Sequence, residues 1–94
     1  MENAEIAGVF REIADMLEAS HDNIFKIRAY RKAATSIETL TEPLGQLVRE
    51  GRLGEVPGIG PAIARKILEL VSTGKLGFYE RLKAEASGKT TKTG

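Results

Sequence analysis

Apolar residues return every three or four positions through each long segment of this chain, and no segment shows the alternation that a strand needs. Ile6, Val9, Phe10, Ile13, Met16 and Leu17 make such a stripe, with acids on the other face, and predict a first helix over about Asn3 to Ala19. Asp22 or Asn23 suits an N-cap for a second helix, from about Ile24 to Leu40. Its expected buried stripe is Phe25, Ala29, Ala33, Ile37 and Leu40, with the alanines allowing another helix close. A short third helix is expected from about Glu42 to Glu50, opened by Pro43 and stopped by Gly51. A fourth runs from Pro61 to Ser72, with Ile63, Ile67, Leu70 and Val71 inward, and Thr73-Gly74 breaks it. A last short helix begins near Lys75 and uses Leu76, Phe78, Tyr79 and Leu82. From Ser87 the chain is Gly, Lys, Thr and Ser, a composition that predicts disorder. The reading is one all-α domain over residues 1–86, a compact bundle of four to five short helices, and a tail over 87–94. Ninety-four residues suffice for one small domain, and without cysteine or tryptophan its stability must come from aliphatic helix packing.

Between the third and fourth helices lies the most specific stretch, LGEVPGIGPAIARKIL at residues 53–68. Leu53, Val56, Ala64, Ile67 and Leu68 are apolar anchors around a tight Gly58-Ile59-Gly60 turn. Glycines permit positive φ and close approach of a ligand to the backbone. Pro61, with no N–H and a preset φ, suits the first turn of the helix that follows. Such a helix start, with unpaired N–H groups and partial positive charge, favours an anion, and Arg65 and Lys66 lie just beyond. The pattern resembles the helix-hairpin-helix motif, which grips a nucleic-acid backbone without reading bases. The bland alternative is a packing joint that binds nothing. Two phosphate-loop alternatives fail: a dinucleotide fingerprint needs glycine where Ile63 stands, and Gly88-Lys89-Thr90 would need glycine at Lys83 to make a P-loop.

The net charge of +1 argues against a nucleic-acid partner until its distribution is followed. Residues 1–22 carry −5, residues 23–37 carry +4 from Lys26, Arg28, Arg31 and Lys32, residues 38–50 carry −2 and residues 51–94 carry +4. Two basic segments meeting on one face would hold a polyanion. In most helices the same four residues would be a solvated face. His21, the only histidine, falls in a loop where no function is expected. No apolar run approaches a membrane span and the N-terminus is no signal peptide, so a cytoplasmic, nucleoid-associated monomer is expected.

With the hairpin placed, NIFKIRAYRKAATSIETL (Asn23 to Leu40) and VPGIGPAIARKILELVSTGKLGFYERLK (Val56 to Lys83) together resemble the N-terminal 8-kDa domain of family X DNA polymerases, closest to the bacterial and archaeal type. The resemblance covers about residues 3 to 83. It implies binding of DNA at gaps, nicks and 5′-phosphates, and a 5′-deoxyribose-phosphate lyase activity. Lys66, two residues after the motif Ala64, matches the lysine that forms a Schiff base with the sugar aldehyde. Lys26 and Tyr30 match a 5′-phosphate pocket, and Gly58, Gly60, Arg28, Arg31, Lys32 and Arg65 join them as candidate backbone contacts. Ala62 and Phe78 stand where the family has basic residues, which weakens that pocket. The resemblance also implies a monovalent cation, Na or K, on the carbonyls of Gly54, Val56 and Ile59. This chain carries no polymerase domain, so nucleotidyl transfer is excluded for it; in a longer protein such domains would be its partners. From the residues alone Tyr30 serves equally as a core cap, and Lys66 as a solvated lysine. A protein-interaction module that kept the hairpin shape and lost DNA is the alternative function.

Overall fold

The computed structural model describes residues 1–92, with side chains to Ala86. Its helices are α1 (Asn3–Ala19), α2 (Ile24–Thr39), α3 (Leu44–Arg49), α4 (Pro61–Thr73) and α5 (Gly77–Lys92), with a 3₁₀ turn at Leu53–Glu55. No strand occurs among the described residues. The all-α expectation and the element order therefore hold.

Each boundary has a local cause. Asn23 caps α2 by accepting from the Phe25 N–H at 2.7 Å. At the end of α1, His21 takes φ 59° while the Asp22 N–H returns to the Leu17 carbonyl at 2.9 Å. At the end of α3, Gly51 does the same at φ 68°, and the Arg52 N–H returns to Leu47 at 2.8 Å. Both are Schellman ends, one of them made without glycine. Gly74, left-handed at φ 78°, closes α4 through a bond to the Leu70 carbonyl. The Gly77 N–H at the start of α5 then donates to Glu69 of α4 at 2.9 Å.

Asn3 ties the start of α1 to the start of α3. Its side chain accepts from the Leu44 N–H and donates to the Glu42 carbonyl, so α1 supplies the cap that α3 lacks. Arg52 gathers Glu42, Glu50 and Glu55 and fixes the segment that leads into the hairpin.

The core is aliphatic around Phe10, with Ile6, Ile13, Ile37, Leu44, Leu47, Ile67, Leu70 and Leu76 from all five helices or their ends. The expected inner face of α2 is corrected. Phe25 is 73% exposed and Ala29 is exposed, while Ile27, Tyr30, Ala33, Ala34 and Ile37 are buried. The cap at Asn23 sets the first turn, and packing on α1 selects the face through Ile27 and Ala34, roughly opposite Phe25 on the helical wheel. Leu68, expected as an anchor, is also exposed. The last helix, expected to be short, is α5 at Gly77–Lys92. Positions 93 and 94 of the tail lie outside the described residues. No described helix is long and apolar enough to cross a membrane.

Candidate functional site

The hairpin turn packs directly on α2. Gly58 has φ 83°, and a Cβ there would meet Lys32 Cγ and Ser36 Oγ, both at 3.1 Å. Gly58 is thus required twice, by conformation and by the neighbouring helix. Gly60 differs from the sequence expectation: it has φ −84° and ψ 175°, ordinary extended backbone, and a Cβ would meet nothing within 4 Å. Its carbonyl accepts from the Ala64 N–H to start α4, and it brings no side chain to cap the helix. Pro61 has no N–H to offer, so the first-turn N–H groups that follow are left for solvent or an anion. Gly60 is therefore an open approach to that helix start, and Gly58 is the joint that holds it against α2.

The four basic residues of α2 do not form one patch. Arg31 turns back to α1, where it pairs with Asp15 at 3.2 Å and Glu18 at 2.6 Å. Its guanidinium is held charged by those two carboxylates. Lys26 lies 3.4 Å from Asp22, whose carboxyl is held below its usual range first by the Asn23 N–H and then by Lys26. Arg28 and Lys32, one turn apart, share a face with Phe25 and Ser36 and make no ion pair among the described residues. Lys32 Cγ and Cε lie along the hairpin at Gly58, which carries its ammonium towards the turn. Arg65 is exposed on α4, as is Ala62. Lys26 and Lys32 point about 120° apart around the axis of α2, so they flank the hairpin differently.

A second cluster joins Tyr30, Phe78 and Lys66. The Tyr30 ring is 6% exposed and stacks between Phe10, at 5.9 Å, and Phe78, at 6.0 Å. Burial pushes its phenol up. The ring belongs to the core, and it is not free to stack on a base. Lys66 Nζ lies 4.9 Å from the Phe78 ring centroid. Lys26 stands one turn before Tyr30. Of the residues that the resemblance placed in a 5′-phosphate pocket, Tyr30 and Lys66 both meet Phe78, while Lys26 is paired with Asp22. Phe25 is the candidate that sequence reasoning missed, since its position was assigned to the core. The cap at Asn23 was the available signal, because a first-turn residue need not face inward.

The carbonyls of Gly54, Val56 and Ile59 fall within six residues around the turn. The Val56 oxygen accepts from the Ile59 N–H at 3.3 Å and keeps a second lone pair. Neutral carbonyl oxygens suit a hard monovalent ion. No group of three or more His, Asp or Glu side chains able to hold a metal occurs among the described residues. A family model described as a helix-hairpin-helix domain matches residues 1–76, which takes in α1 to α4 and stops before α5.

Proposed function

Because the chain belongs to the helix-hairpin-helix domain family, we propose that it binds DNA through the backbone, without sequence preference, at gaps, nicks and 5′-phosphate ends in repair. Domains of this family commonly bind DNA non-specifically. The observation that carries the reading is the open helix start at Gly60, with Lys32 laid along the turn at Gly58. The N–H groups there would bond one phosphate, and Lys32, Arg28 and Arg65 would neutralise its neighbours. Carbonyls of Gly54, Val56 and Ile59 would hold the monovalent cation and add positive charge beside that phosphate.

Two features support the preference for interrupted DNA. Phe25 presents a bare aromatic ring on the same face as Arg28 and Lys32, and an unpaired base can stack on such a ring where a paired base cannot. Lys26, Lys66 and the edge of Tyr30 offer charge and a hydroxyl to a terminal phosphate. Three DNAs test this: intact duplex, a gap with a 5′-phosphate and the same gap with a 5′-hydroxyl. The expected order of affinity is phosphate gap, hydroxyl gap, duplex. Equal affinity for all three would remove the end preference and leave a general backbone binder.

The residue placed for lyase chemistry is Lys66. The neutral amine would add to the C1′ aldehyde and lose water to form an imine. Loss of a C2′ proton would then expel the 3′ oxygen by cleavage of the C3′–O bond. Borohydride trapping of wild type and Lys66→Ala on a 5′-deoxyribose-phosphate substrate decides it. An adduct that requires Lys66 establishes the lyase; no adduct in wild type leaves a binding module.

A further inference from the structure

We propose that Phe78 is a positioning residue that holds the Lys66 ammonium in place as a fixed charge for a 5′-terminal phosphate. The proposal rests on the DNA-end reading above. Lys66 Nζ sits 4.9 Å from the Phe78 centroid, within the range at which a ring face attracts a cation. The ring does not float. Phe78 stacks on Tyr30 with an interplanar angle of 14°, and Tyr30 stacks on the fully buried Phe10 at 19°. The platform therefore begins in the core on α1, crosses α2 and ends on α5, and Lys66 of α4 rests on its last ring.

Lys66 makes no ion pair among the described residues, so no carboxylate competes for its charge. A ring takes up one side of an ammonium and leaves the N–H donors on the other side free for an oxyanion. A lysine on open surface must lose rotamer freedom when it meets a phosphate; one already resting on a ring has lost part of it. The ring also attracts the cation and not the neutral amine, so this arrangement serves anchoring before it serves imine formation. Phe78 lies beyond the family match, so the device belongs to the junction between the matched domain and α5.

A double-mutant cycle tests it. The readout is the ratio of affinities for gapped DNA ending in a 5′-phosphate and in a 5′-hydroxyl, with circular dichroism on every variant. Phe78→Leu should lower the ratio by about two- to fivefold, the size of an exposed cation–π contact. Phe78→Tyr, which keeps a ring, should restore it. In a Lys66→Ala background, Phe78→Leu should change nothing further. An equal loss with and without Lys66, or failure of tyrosine to rescue, would overturn the clamp while the DNA-end reading stands. A wild-type ratio of one would sink the end reading and the clamp together.

Discussion

Two glycines two residues apart do different work, and substitution separates them. Valine at Gly58 would be β-branched at φ 83° and would press on Lys32 and Ser36. Gly58→Val should lose about 1–3 kcal/mol of stability in urea unfolding, as strained backbone does. Gly60→Ala should unfold like wild type and still bind DNA several-fold more weakly, because its methyl sits where a phosphate would approach. Full affinity in Gly60→Ala would move the contact elsewhere. The paired glycines were legible in the sequence; which one needs positive φ was not, since that depends on how the turn meets α2. Phe25 carries a similar lesson. Phe25→Ala should leave stability unchanged at 73% exposure and weaken binding to a gap more than to duplex. Parallel losses on both DNAs would count against stacking. His21 occupies a left-handed position that Gly51 fills at the end of α3, so His21→Gly should raise stability by about 1 kcal/mol, measured by thermal unfolding.

At the scale of elements, periodicity placed all five helices, and their boundaries followed from caps written in the sequence at Asn23, Gly51 and Gly74. The phase of α2 was not legible because it mixes small and apolar residues on two faces. Packing on α1 chose Ile27 and Ala34 over Phe25 and Ala29. The same choice set Arg31 beside Asp15 and Glu18 of α1, an exposed tether between the two helices whose charge is already matched. Arg31→Gln should therefore lower the unfolding midpoint more than it lowers DNA affinity. The docking of α5 also has a pH signature. Tyr79 donates to Glu12 of α1 at 2.8 Å, and burial, with help from that carboxylate, pushes its phenol up to about 12. A raised phenol favours the neutral form when folded. Its contribution is complete below the ordinary value near 10 and is lost as pH rises through about 12. Unfolding between pH 9 and 12 should show this loss in wild type, and Tyr79→Phe should reduce it, leaving the part that the raised Tyr30 phenol contributes.

For the whole molecule, the sum of charge says little and the arrangement decides. The sequence placed +4 on one segment, and the fold divided it among α1, Asp22 and the hairpin face. What remains at the turn is Lys32, with Arg28 one helical turn before it and Arg65 exposed on α4. The acids of α1 include Asp15 and Glu18, which are paired with Arg31, so the local arrangement and not the net charge sets the field a polyanion meets. The most direct test of the account is the affinity of the domain for gapped, 5′-phosphorylated DNA, measured across monovalent salt from 50 to 200 mM. Three neutralised phosphates predict a log–log slope near −2.7 and a loss of roughly 40-fold, the same for unrelated sequences. A flat salt dependence, or an affinity that follows the base sequence, would contradict backbone binding at the hairpin.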